Sequence, residues 1–230
     1  MTSLKERARL SSCLLYTSLY CTGGFLQENG RLALRGAAAD GLLAFGGASE
    51  VRGGRLEAEG DETGILVGSS GSLKIGPGAG GFAVGKCVGI YSFGPVVEIL
   101  SPDFEVRIDN DGVVPVNLNG CFVDTGIRTP GGGSGRWEPG ARRLSLSGAS
   151  LGGITFPIGR STLELEGENR VQGNILSKDP ATGIANEGSL LLRGGGRLTV
   201  GVIPGEPAVA LDGGIELSEG MRLWAGADEA

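Results

Sequence analysis

Ser161–Val200 reads STLELEGENRVQGNILSKDPATGIANEGSLLLRGGGRLTV, and three short runs within it decide the fold. They are Thr162–Leu165, Ser189–Leu192 and Arg197–Val200. Each is too short for a helix and alternates apolar with polar in the manner of a strand. The corners between them, Glu166-Gly167-Glu168-Asn169, Asn186-Glu187-Gly188 and Arg193-Gly194-Gly195-Gly196, use residue types that tolerate left-handed backbone. The segment is therefore read as strands joined by tight turns, with Leu163 and Leu165 facing inward and Glu164 outward.

The rest of the chain repeats the design at a nearly fixed interval. Leu32 recurs as Leu56 and Leu73 as Val97, the same distance apart in both cases. Gly41-Leu42-Leu43 recurs as Gly64-Ile65-Leu66, a slightly shorter step, and then as Gly89-Ile90-Tyr91, a slightly longer one. Leu191 is matched with Ile215, and Leu198 with Leu223, at the same kind of spacing. Several strand types recurring in the low twenties predict an all-β fold, a single-stranded right-handed parallel β-helix (β-solenoid) of about eight to ten coils. Inward residues such as Leu32, Leu34, Leu73, Ile75, Leu163 and Leu165 form apolar columns, and Lys74 and Glu164 meet water. A β-sandwich is the alternative, and the regular recurrence argues against it.

Composition agrees. The chain has 45 glycines in 230 residues, roughly three times ordinary usage, without the period of collagen. At 40% apolar residues it is not a disordered chain. Net charge is −6 with both signs interspersed, and no basic stripe suits nucleic acid. There is no histidine, so the commonest general base and metal ligand is missing. No run of about 18 apolar residues is present to span a membrane. Cys13, Cys21, Cys87 and Cys121 form no CxxC pair and are read as core thiols, not a zinc site.

Residues 1–18 differ from the rest. Ser3-Leu4-Lys5-Glu6 fits a capping box opening a helix to about Leu10, and such a helix would cap a solenoid end. Lys5, Arg7 and Arg9 before Leu10–Tyr20 loosely resemble a signal peptide without a clean cleavage site. Residues 13–18, CLLYTS, also resemble one translated frame of a sequencing-library adaptor. On that reading residues 1–18 are extraneous and their removal leaves stability nearly unchanged. Residues 19–230 are then the β-helix. Residues 129–140 (TPGGGSGRWEPG) lack apolar periodicity and are expected to loop out of it, or to link two β-helical halves.

Few motifs carry chemistry. Gly76–Gly81 matches G-x-G-x-x-G, and Gly80–Lys86 matches most of a P-loop with Cys87 in place of Ser or Thr. Both need a strand leading into a helix, which this sequence does not offer. Asp103, Asp109 and Asp111 supply alternating carboxylates for a calcium site, against a solvated turn as the plainer reading. Tyr91 and Trp137 are the candidate ligand-binding aromatics, with Phe93 and Trp224 beside them among the few rings. Glu164, Glu166 and Glu168 alternate, as a glycoside-hydrolase pair would allow, but a solvated face suits them better. No catalytic residue is assigned.

The run Leu163–Gly173, then Gly183-Ile184, then Gly188–Val200 resembles the pattern L-x-L-x-G-x-N-x-I-x-G, G-I, G-x-L-x-I-x-G-x-G-x-L-x-V. That pattern is found in β-helical surface proteins described as carbohydrate-binding domain-containing, from anaerobic Gram-positive gut bacteria. The match covers about Arg143 to Leu217, roughly a third of the chain. The resemblance implies a pectate-lyase-like helix and a calcium-containing, polysaccharide-binding adhesin at the cell surface or outside the cell. None of that family's calcium ligands maps onto a matching position here. Three functions are weighed: a non-catalytic polysaccharide-binding or adhesive module, a structural stalk without ligand, and a β-helix lyase or hydrolase with Arg107 as base beside the aspartates. The expected state is a monomer or part of a longer surface protein.

Overall fold

A computed structural model describes residues 2–4, 8–10, 14–16, 18–36, 40–94, 97–120, 124–201 and 203–226. Among them there is no α-helix, only strands and one 3₁₀ turn, and hence no helix long and apolar enough to cross a membrane. The chain divides into two compact units, the first made of residues 1–107 and 120–123 and the second of 108–119 and 124–230.

In the first unit the strands are β1 (Thr2–Leu4), β2 (Ala8–Leu10), β3 (Leu14–Tyr16), β4 (Leu19–Cys21), β5 (Phe25–Gln27), β6 (Arg31–Gly36), β7 (Asp40–Gly60), β8 (Thr63–Gly85), β9 (Val88–Ser92), β10 (Val97–Ile99) and β11 (Phe104–Asp109), in which the division falls. β7 and β8 are not straight strands. β7 pairs with β4, β5 and β6 in three separate places, all parallel, so it is one whole coil. Its register on β8 slips between Ala44 and Gly46 and between Val51 and Gly53, and those slips are the corners. At the corners Gly47 and Gly54 take φ of 68° and 77°, a conformation that costs glycine nothing.

Parallel pairing runs coil to coil. Leu19 lies on Leu42, Leu42 on Ile65 and Ile65 on Ile90. Leu32 lies on Leu56, and Leu73 on Val97. Apart from Leu19 on Leu42, these are the pairs and the spacing expected from the sequence. The alternate residues turn into a narrow dry core holding Leu32, Leu34, Leu73 and Ile75, each at most 1% exposed. Outside, Glu50, Lys74 and Glu98 lie in register on successive coils. Their signs alternate, and in-register opposite charges favour this pairing over a slipped one.

Gly41, Gly64 and Gly89 form a column where the start of each coil meets the end of another. A Cβ on Gly64 would lie 2.5 Å from Val84 N and 2.7 Å from Gly89 O. The Gly-apolar-apolar repeat therefore has a steric origin: only glycine lets the backbones approach.

Where the expected N-terminal helix is described, at residues 2–4 and 8–10, the chain is strand instead; residues 5–7 lie outside the described residues. β1, β2 and β3 pair in parallel with β4, β5 and β6. A lone capping box of four residues does not outweigh three adjacent edges that need partners. Below them Leu19, Phe25 and Leu32 are at most 1% exposed. Deleting residues 1–18 would unpair three edges and open these side chains to water, at about 1.5–3 kcal/mol for each one fully exposed. The expected result is a clear fall in melting temperature, by circular dichroism. An unchanged melting temperature would show that the segment is extraneous to the fold, as its adaptor-like residues suggest.

The second unit has β12 (Pro115–Asn117), β13 (Thr125–Arg128), β14 (Ser134–Glu138), β15 (Arg143–Ser147), β16 (Ser150–Leu151), β17 (Gly153–Phe156), β18 (Gly159–Glu166), β19 (Glu168–Val171), β20 (Ile175–Ser177), β21 (Gly188–Gly194), β22 (Arg197–Val200), β23 (Val209–Ala210), β24 (Ile215–Leu217) and β25 (Arg222–Ala225). Three parallel columns result: β12–β17–β20–β23, β15–β18–β21–β24 and β16–β19–β22–β25. Along the β15–β18–β21–β24 column the longest step is the one from Leu163 to its stacked partner Leu192. Residues 178–187 supply the extra length, folded back by a bridge between Lys178 and Ala185.

Two expectations need correction here. Residues 129–140 are not a loose excursion. After a 3₁₀ turn at Pro130–Gly132, β14 pairs antiparallel with both β13 and β15. Its few strand residues, set among glycines, are too short a run to show a period. Ile215 lies on Leu190, not Leu191. Three consecutive leucines, Leu190 to Leu192, cannot fix a register by apolarity alone.

Candidate ligand-binding face

The recurring triplets place a second apolar residue where water would be expected. Leu42, Ile65 and Ile90 face inward and are fully buried. The next residues, Leu43, Leu66 and Tyr91, therefore face out, in register with one another and with Tyr20. All four are half-buried. Coils stack at about 4.8 Å, so this ladder of four side chains spans about 14 Å.

Two more rings widen it. Phe45 and Phe93, each two residues beyond a ladder position, are 37% and 41% exposed. Tyr20 and Phe45 stack with centroids 5.2 Å apart, and Tyr91 and Phe93 meet edge-on at 4.9 Å. Gly68 makes room for Phe45, since a Cβ there would lie 2.9 Å from its Cδ1. The outcome is an apolar strip on an outer face of the first unit, with an aromatic pair at each end and two leucines between.

Of the aromatics singled out from sequence, Tyr91 lies in this strip. Trp137 does not serve as a ligand contact. It is 1% exposed, in β14, against Phe156 with centroids 6.0 Å apart, so no ring face is open to a sugar. Trp224 is 58% exposed on the last strand of the second unit. Tyr20, Leu43, Leu66 and Phe45 were missed. Their signal was present as the doublets Leu42-Leu43, Ile65-Leu66 and Ile90-Tyr91, which break strict alternation.

Asp103 belongs to the first unit, Asp109 and Asp111 to the second. Asp111 Oδ1 accepts the backbone N–H groups of Val113 and Val114 at 3.1 and 3.3 Å, which is the turn-forming use of an aspartate. Among the described residues no three of Asp, Glu and Cys gather in a group able to hold a metal ion. Arg107 pairs with Glu105 at 3.1 Å and lies 5.2 Å above the Phe82 ring, a packed cation–π contact.

The second unit carries a groove of about 450 Å³ whose lining mixes Ser134, Arg136, Ser145, Glu164 and Glu166 with the apolar Leu146. Glu164 and Glu166 face outward as expected. Glu164 is held by Arg193 at 3.3 Å and Arg143 at 3.7 Å, and Arg136 by Asp124. Glu168 lies on another strand, β19, beside Arg197 at 3.9 Å.

The glycine-rich nucleotide motifs fall inside β8 and its end, so the strand-to-helix turn they require is not there. Burial pushes the Cys21 thiol up to about 11, which suits an inert core residue. Cys87 is half-buried, and Cys13 and Cys121 lie outside the described residues. No family model, no curated protein and no solved structure matches this chain.

Proposed function

We propose that this chain is a non-catalytic module that binds an extended polysaccharide along the Tyr20–Leu43–Leu66–Tyr91 strip. The scaffold in this reading is a right-handed, single-stranded parallel β-helix of about eight to ten coils, working at a cell surface or outside the cell. The observation that supports it is the outward apolar ladder with open rings at both ends. A small ligand wants a concave apolar pocket. A long, nearly flat strip repeating every ~4.8 Å suits a polymer, and ring faces pack against the apolar faces of sugars.

The test is a pull-down on insoluble plant and microbial polysaccharides, with calcium or with chelator, beside an assay for new reducing or unsaturated ends. Each aromatic contact is worth about 0.5–1.5 kcal/mol, so Tyr20→Ala/Tyr91→Ala is expected to weaken binding roughly 5- to 150-fold. Chelation should leave binding unchanged, since the side chains that form the strip include no carboxylate. Equal binding by the double variant refutes the strip. Release of unsaturated ends would identify a lyase, and no binding to any polymer leaves a structural stalk.

A further inference from the structure

On the reading that the Tyr20–Leu43–Leu66–Tyr91 strip is the binding face, we infer that the polymer it takes is uncharged, a chain of neutral hexoses or pentoses, and that polyuronates are turned away. A fifth of all residues are charged, yet residues 18–24, 41–49, 64–73 and 88–94 contain no charged side chain. These stretches are the strip and the corner that follows it, stacked coil on coil. The other outward rows of the same unit are charged. Arg31 lies on Arg55, and Glu50 on Lys74 on Glu98. Charge is thus left out of one face and kept on the others.

The charge-free stretches still offer polar groups. Thr22, Ser69 and Ser70 are exposed beside the rings, so hydroxyls border the apolar strip. Ser70 Oγ donates to the Phe45 carbonyl at 3.0 Å, and its lone pairs stay open to a further donor. A neutral sugar has an apolar C–H face for the rings and a rim of hydroxyls for these groups.

The corner that precedes the strip adds a bias of sign. Asp40, Asp61 and Glu62 stand there. Asp40 lies on Thr63 in register, and the Glu62 carbonyl accepts the Cys87 and Val88 N–H groups of the following coil. Lys86 at the same corner is held by Asp61 at 2.9 Å. Burial, and then the charge of Glu62, push the Asp40 carboxyl above its usual range, against a hydrogen bond with Thr63. A polyuronate laid on the strip meets this negative edge and finds no cation on the strip to pair with. Removing its carboxylates from water unpaired is costly, and a neutral chain escapes both penalties.

Affinity electrophoresis of the full chain tests this, with chelator, in gels holding a neutral β-glucan or galactomannan, or holding polygalacturonate. The neutral polymers are expected to retard the protein equally at both salt levels, and polygalacturonate to bind at least about 10-fold more weakly at low salt. That gap should narrow between about 0.01 M salt, where charges act over about 30 Å, and about 0.15 M, where they act over about 8 Å. Glu62→Lys/Ser69→Lys puts two cations beside the strip. It should raise polygalacturonate binding roughly 2- to 25-fold, with glucan binding and circular dichroism unchanged. Wild-type protein that holds polygalacturonate as tightly as glucan at low salt, and loses it in Tyr20→Ala/Tyr91→Ala, overturns the inference while the strip stands. So does a folded Glu62→Lys/Ser69→Lys variant that binds polygalacturonate no better than the parent. Polymer binding that Tyr20→Ala/Tyr91→Ala leaves intact, or no binding to any polymer, overturns the strip and the inference together.

Discussion

Leu165→Asp is expected to abolish cooperative folding of the second unit. Leu165 is 2% exposed in β18, stacked on Leu146 of β15. An aspartate there has no basic partner in the column and must be desolvated or protonated. Leaving a buried charge unpaired costs about 3–5 kcal/mol, a large part of a domain's whole stability. The neighbouring outward position supplies the control. Glu166→Ala alters an exposed side chain and should shift stability by no more than about 0.5 kcal/mol. Urea unfolding followed by circular dichroism reads both. If the aspartate variant unfolds at the wild-type midpoint, residue 165 faces water and the strand register is displaced by one.

The second large effect comes from one methyl group. Gly64→Ala adds a Cβ that meets Val84 N, Gly89 O and Val84 O at 2.5, 2.7 and 2.9 Å. All three are backbone atoms, so no side chain can swing aside. Two stacked coils must separate, and the expected cost is at least about 3 kcal/mol, the upper end of overpacking. Gly195→Ala should behave oppositely. A Cβ there meets nothing within 4 Å and its φ is not positive, so restricting the unfolded chain should raise stability by about 0.4–1 kcal/mol. Equal losses at both sites would mean that glycine serves general flexibility here and not coil contact.

Most of the architecture was legible because its causes are periodic. An inward leucine must stack on another inward apolar residue, so Leu32–Leu56 and Leu73–Val97 appear in the sequence at the interval the coils impose. What escaped was set by partners distant in sequence. The helix signal at Ser3–Glu6 is local, and it yields to the open edges of β4, β5 and β6. Trp137 looks like a loop aromatic because its partners, Phe156 and Leu144, come from later strands. The ligand-binding face was half legible. Tyr91 stood out as one of few rings, but Leu43 and Leu66 look like core residues until the register shows them facing out. The aspartates are close in sequence, with Asp103 in the first unit and Asp109 and Asp111 in the second.

The short, nearly constant step from Leu19 to Leu42, Ile65 and Ile90 in the first unit also governs how the chain reaches this fold. Each pairing there closes a loop of about a tenth of the chain, and the entropy of closure depends only on that short length. All-β proteins usually fold slowly because their pairings span most of the sequence. In this unit no such pairing does. Every coil is added at nearly the same cost as the one before it, nucleation has no privileged starting point, and growth proceeds by templating on whichever edge already exists. In its search for the folded state this β-protein therefore resembles a helix bundle more than a sandwich.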